Sequence, residues 1–252
     1  MKPALLFRMS VFTYQALQQY RSGLPHLPAK HRLVAVLESP DCRKAGYLAE
    51  SRSHIIIAFR GTEDWNDLKR NMAAAQVDFP LSKQGGKTHK GYTELYVSLR
   101  PGILLALKQC ARNKPLYIAG HSLGGALASL CALDPAVAKG RPAVKLVTFG
   151  APRIGDGTFA DALHSQTGQS IRIYLEGDLV PNMPPRSLLG FTYVHAKSGF
   201  PVKDTQRTPI SRHGISAYAM ALSRSAPAEA RRLSRLYPEF CPPGLSIGQT
   251  DH

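Results

Sequence analysis

Leu116-Tyr117-Ile118-Ala119-Gly120-His121-Ser122-Leu123-Gly124-Gly125-Ala126-Leu127-Ala128-Ser129-Leu130 decides how the rest of the chain is read. An apolar run enters it, small residues crowd its middle, and a run with helical periodicity leaves it, which spells strand, tight turn and helix. Gly120, Ser122 and Gly124 form a G-x-S-x-G pattern in that setting. A serine on such a strained turn presents its Oγ, and the flanking glycines spare the approach of strand and helix any side-chain clash. The turn also puts Ser122 at a helix N-terminus, where unpaired N–H groups and the dipole stabilise developing negative charge. The reading is a nucleophile prepared for acyl transfer.

Working outward, His54-Ile55-Ile56-Ile57-Ala58-Phe59 is an apolar run without alternation, expected of a central strand buried on both faces, and it delivers Arg60-Gly61-Thr62 at its end. Arg32–Glu38 and Ala45–Glu50 read as a hairpin-like pair around Ser39-Pro40-Asp41. Val144–Phe149 and Ile171–Leu175 are two further strands. Helices are expected near Val11–Tyr20, over Gly91–Arg112 with Pro101 as a kink or break, from the serine turn to about Lys139, and near Gly214–Ser223 and Pro227–Tyr237. Residues 63–88 read as a surface excursion with one helical turn around Trp65–Met72, and Cys241–His252 as an extended tail. Strands alternating with helices give an α/β class: a mostly parallel central sheet with helices on both faces, in a single domain spanning 1–252.

The chain has 252 residues, 44% of them hydrophobic, enough for a sizeable core. Lys and Arg number 32 against 17 acidic residues, a net charge of +15, which favours peripheral contact with anionic lipid surfaces. The basic residues are spread along the chain without dense runs, zinc-ligand spacing or RNA-binding aromatics, so nucleic acid is not an expected partner. Cys42, Cys110, Cys131 and Cys241 are far apart and make no metal-binding pair; Cys110 and Cys131 read as buried helical thiols, with one or two disulfides left open. The first apolar run, Pro3 to Phe7, is too short for a secretory core, and nothing approaches a membrane span, so the expectation is a soluble chain, cytoplasmic or secreted with its leader removed.

Serine needs a base within hydrogen-bond reach and an acid to orient that base. Asp178 lies just past the strand Ile171–Leu175, where strand ends open into the ligand crevice. Two histidines compete for the base. His213 heads a helix after a loop, whereas His195 sits inside the strand-like Phe191–His195, and the role favours His213. His121 reads as packing or hydrogen-bonding support, and Asp156 as a helix cap before Gly157-Thr158-Phe159.

Together with Ala58-Phe59-Arg60-Gly61-Thr62, His89-Lys90-Gly91-Tyr92, Thr148-Phe149-Gly150-Ala151-Pro152-Arg153-Ile154-Gly155-Asp156, Asp178-Leu179-Val180-Pro181 and His213 with Tyr218, the serine turn resembles the class 3 lipases over about residues 30–225. The resemblance implies an α/β-hydrolase fold and a Ser122–His213–Asp178 triad. It also implies an oxyanion hole from the Thr62 and Leu123 backbone N–H groups with help from the Thr62 hydroxyl, and a scaffold role in ion pairing for Arg60. The expected function is hydrolysis of carboxylic esters of lipids, glycerides first, without metal or organic cofactor. Phospholipase A1 and feruloyl-type esterase activities are the enzymatic alternatives, and a lipase-like scaffold that binds lipid or partners without turnover is the non-enzymatic one. Members with a full lid carry an amphipathic helix after the oxyanion residue. Here only Glu63-Asp64 separates Thr62 from Trp65-Asn66-Asp67-Leu68, so a short polar cover and little interfacial activation are expected.

Overall fold

In the computed structural model, residues 1–40, 42–62, 75–196, 199–203 and 209–245 are described. Helix α1 (Pro3–Ser22) starts eight residues before its expected first position, because Pro3 supplies a φ suited to a first helical turn and Leu6 and Phe7 extend the buried face. Strands β1 (Arg32–Ser39) and β2 (Cys42–Glu50) form the expected antiparallel pair. Strand β3 (Ile55–Phe59) pairs antiparallel with β2. Within the stretch read as a surface excursion, β4 (Gln76–Asp78) and β5 (Lys87–His89) make a small antiparallel ladder. The helical turn near Trp65–Met72, the polar cover at Glu63–Arg70 and the end of the tail, residues 246–252, lie outside the described residues.

Helix α2 (Lys90–Lys108) runs through Pro101 without a break. Pro101 and Val97, whose carbonyl it leaves without a donor, both lie on the solvent side, where water replaces the lost bond. Cys110 is thus beyond the helix rather than in it. Strand β6 (Leu116–His121) leads into α3 (Leu123–Leu133), which ends well before Lys139. Asp134 stops it by capping the short helix α4 (Pro135–Ala138) through the Ala136 N–H; its carboxylate also accepts from Arg100 Nε at 2.6 Å and Tyr96 Oη at 2.8 Å. Strand β7 (Val144–Phe149), helix α5 (Gly157–Gln166) and strand β8 (Gln169–Leu175) follow. Asp156 accepts from Phe159 N at 2.8 Å and caps α5, as expected.

The short pair β9 (Ser187–Leu188) and β10 (Phe191–Thr192) takes only the start of the stretch read as a strand through His195. Strand β11 (Gly199–Val202) has no counterpart in the sequence reading. It holds Pro201, which removes a ladder donor and fits only an edge position, and β11 is indeed the outer strand beside β8. Helices α6 (Pro209–Arg212), α7 (Ile215–Ser225) and α8 (Pro227–Leu236) close the described chain. Beyond them Cys241 and Leu245 are buried, so the start of the expected tail is packed against the protein. All four cysteines are free of disulfides.

The main sheet runs β1-β2-β3-β6-β7-β8-β11, parallel from β3 onward. Its side chains divide strictly between two cores. Ile55, Ile57 and Phe59 of β3 pack with α2 and α3 on one face, while Ile56 and Ala58 pack with α1 and α7 on the other. Every residue of α3 is buried, as a helix apolar on all sides must be. This double burial holds β3 and β6 in register, Ala58 beside Ala119 and Phe59 beside Gly120, and so brings the ends of the two strands together.

Candidate active site

Ser122 follows the last residue of β6 with φ 54° and ψ −124°, a left-handed backbone that serine rarely adopts. The surroundings dictate it. A Cβ on Gly120 would stand 1.9 Å from the Gly124 carbonyl oxygen, and one on Gly124 would stand 2.3 Å from the Arg60 carbonyl oxygen. Only glycine at both places lets α3 fold back so closely on β6 and on the end of β3. The Ser122 N–H is held by the Phe149 carbonyl of β7 at 2.9 Å.

Ser122 Oγ lies 2.8 Å from His213 Nε2, and His213 Nδ1 lies 3.0 and 2.9 Å from the two Asp178 carboxylate oxygens. All three residues are buried. The carboxylate only accepts, so Nδ1 carries the proton and Nε2 is free to accept from the serine hydroxyl. Asp178 stands after β8 in a turn that its own Oδ1 closes by accepting from Val180 N at 3.0 Å. Burial pushes its carboxyl up, but the bond and charge of His213, with the Tyr218 and Val180 bonds, outweigh that and hold it below the usual Asp value.

Two supporting residues hold the triad: Tyr218, whose bond was not read from the sequence, and His121, in the hydrogen-bonding support expected of it. Tyr218, on the buried face of α7, donates its hydroxyl to Asp178 Oδ2 at 2.5 Å and accepts from Leu175 N at 3.2 Å. Gly150, at φ 56°, makes room for it, since a Cβ there would stand 2.8 Å from the Tyr218 hydroxyl. In the sequence Tyr218 stands out only as part of a motif; the signal that could have found its role is that a buried tyrosine usually brings its hydroxyl to a partner. His121 Nε2 lies 2.5 Å from the His213 carbonyl, so this ring holds the backbone of the base. We expect Tyr218→Phe to lower kcat about tenfold with little change in KM. The acidic limb of the pH–rate profile should move up, because the carboxylate loses a bond that favours its charged form. An unchanged kcat and profile would mean that Tyr218 only packs.

Thr62 is half-buried beside this group: a Cβ on Gly61 would stand 3.1 Å from Ser122 Cβ. Leu123 is the first residue of α3, so its N–H has no partner within the helix. Leu123 thus offers a backbone donor beside the serine, and Gly61 brings the chain at Thr62 close to it. Arg60 has the scaffold role expected of it: its guanidinium bonds the carbonyls of Lys44, Gly61 and Arg43 and stacks on Tyr20, while the acidic residues Glu63, Asp64 and Asp67 lie outside the described residues. It ties the end of β3 to β2. His195 is not brought to the serine; its Nε2 bonds the Pro181 carbonyl at 2.6 Å and steadies the segment after Asp178.

His121 and His89 are buried imidazoles, and burial chiefly drives their pKa down, to about 3 and about 4. In the unfolded chain each would take up a proton near pH 6.5. Between that value and pH 4 the unfolded state therefore binds more protons, and stability should fall as pH falls, by up to about 1.4 kcal/mol per pH unit for each ring. Urea unfolding at pH 7.5 and pH 5 measures this, and His89→Phe should flatten the profile. Equal midpoints at both pH values in the wild type would contradict it.

A family model described as lipase (class 3) matches residues 56–188. A lipase of Rhizomucor miehei is 31% identical over 161 residues, 62% of this chain and 43% of that protein. A secreted mono- and diacylglycerol lipase A of Penicillium camembertii is 29% identical over 176 residues, 68% of this chain and 56% of that one. The chain therefore spans about half the length of these relatives. Among solved structures, a lipase from Rhizopus microsporus var. chinensis superposes with a TM-score of 0.67 at 22% identity, over 82% of this chain and 75% of that one. The Rhizomucor miehei lipase propeptide complex does so at 0.64 and 25% identity, over 79% of this chain and 67% of that one.

Proposed function

Since this chain belongs to the class 3 lipase family, we propose that it is a serine carboxylic ester hydrolase acting on lipid esters, glycerides first, with Ser122 as nucleophile, His213 as base and Asp178 as the acid that orients it. The observation that carries the proposal is the 2.8 Å contact of Ser122 Oγ with His213 Nε2 on a strained turn, with both Asp178 oxygens on Nδ1. His213 takes the serine proton as Oγ attacks the ester carbonyl. The Thr62 and Leu123 N–H groups receive the oxyanion, and Asp178 keeps the imidazole in the productive tautomer. His213 returns the proton to the departing alkoxide, and water, activated by the same base, then hydrolyses the acyl-enzyme.

Initial rates on tributyrin, a long-chain triglyceride, a phosphatidylcholine and methyl ferulate test the substrate class. The glycerides should be turned over fastest; no turnover of any ester would refute the reading. A second reading, phospholipase A1, is favoured by one feature: the electrostatic surroundings of His195 are set by Arg172, Arg153 and Arg186, three cations near the segment that follows Asp178. A phospholipase A(1) of Arabidopsis thaliana is also 31% identical over 152 residues, 53% of this chain. Under this reading the phospholipid rate would exceed the glyceride rates. Among the described residues no helix is long and apolar enough to cross a membrane.

A further inference from the structure

A cavity of about 360 Å³ opens at the end of the parallel sheet away from Ser122. His54 immediately precedes β3 and Tyr117 is the second residue of β6, whereas the serine turn follows the far ends of the same strands. Five residue steps of strand, roughly 17 Å of rise, carry the chain from Tyr117 to Ser122, so this cavity is separate from the serine turn. The size is in the range of small-molecule pockets, about 300 to 1,000 Å³.

The lining divides by chemistry. Leu5, Met9 and Phe12 of α1 and Leu233 of α8 give an apolar wall, while Arg8, Lys30 and Arg232 bring three cations to it. Glu229 is shared between two of them, 2.5 Å from Arg8 Nε and 2.9 Å from an Arg232 terminal nitrogen, and no carboxylate among the described residues pairs with Lys30. Three cations thus face one carboxylate. Lys30 is exposed and held at φ 74°.

Two imidazoles also line the cavity, His31 Nε2 at 3.3 Å from His54 Nε2. His31 donates from Nδ1 to the Pro28 carbonyl, so its Nε2 accepts from His54, whose Nδ1 in turn accepts from the Ser53 hydroxyl at 2.9 Å, while the Ser51 hydroxyl donates to the His54 carbonyl at 3.1 Å. Both rings are neutral in this arrangement. Burial lowers both, and for His54 the further influences are His31, Arg8 and Lys114, all of one sign. Apolar side chains, three cations and a neutral imidazole pair lining one cavity match one kind of ligand, an amphiphilic anion.

We propose that this cavity binds a fatty acid in its carboxylate form, the chain lying on Leu5, Met9, Phe12 and Leu233 and the head group among Arg8, Lys30 and Arg232. The site stands whether or not Ser122 is a nucleophile. The test is a titration of the full chain with dodecanoate below its micelle concentration, followed through the His31 and His54 imidazole resonances, which report this cavity and not the serine turn. Both should shift saturably. Dodecan-1-ol, with the same chain and no charge, and acetate, with the charge and no chain, should each bind at least tenfold more weakly. Lys30→Gly removes a charge while glycine accepts the positive φ, and Arg232→Ala leaves Glu229 paired with Arg8; each should weaken dodecanoate about tenfold and leave hydrolysis of a soluble ester unchanged. Unmoved imidazole resonances, equal binding of the alcohol or of acetate, or full dodecanoate affinity in both variants would overturn the proposal.

Discussion

Ser122→Ala is expected to lower kcat/KM on a soluble ester by on the order of 10³-fold or more, with the fold retained. The side chain is small, buried and bonded to one partner, so its removal leaves a modest cavity beside His213 and no orphaned charge. His213→Ala should cost as much, and the double variant no more than either single one, because the residues act as a unit. Multiplying effects would mean that Ser122 and His213 serve separate steps. Full activity in His213→Ala with loss in His195→Ala would transfer the role of base to the other histidine, against the 2.6 Å bond that commits His195 to the Pro181 carbonyl.

Gly120→Ala should be severely destabilising. Its Cβ would stand 1.9 Å from the Gly124 oxygen and 2.3 Å from the Gly124 carbonyl carbon, both backbone atoms that no rotamer change can move. Helix α3 would have to shift outward, although all of its residues are buried. A loss of roughly 3 kcal/mol or more is expected, at the upper end for overpacking. Activity should fall with it, since the same shift moves the Leu123 N–H away from the serine. Thermal unfolding and a rate assay on the surviving folded fraction measure the two effects separately. A wild-type Tm in Gly120→Ala would mean that strand and helix are less tightly joined than the geometry indicates.

These two expectations rest on the part of the chain that was most legible in its sequence. The elbow could be read because its requirements are local: small residues where backbones touch, an apolar run before and an apolar helix after. The central strand was legible for a similar reason, since burial on both faces removes any alternation from Ile55 to Phe59. Asp178 could be placed from its position after a strand. The features that escaped notice depend on tertiary contacts. Strand β11 looks like a loop because Pro201 is tolerable only at an edge, and edge position is a property of the sheet. Helix α3 was read too long because the apolar pattern continues past Leu133, and what ends it is a buried Asp134 tied to Tyr96 and Arg100, 38 and 34 residues away. Tyr218 was visible as part of a motif, but its bond to Asp178 spans 40 residues and follows only once α7 packs on β8.

The most direct measurement is labelling of the full chain with a fluorophosphonate, followed by mass spectrometry of its peptides. Only a serine activated by a neighbouring base reacts readily. The account predicts one adduct per chain, on Ser122, formed quickly in the wild type and slowed by orders of magnitude in His213→Ala. An unlabelled Ser122, or an adduct on another serine in the folded protein, would contradict it.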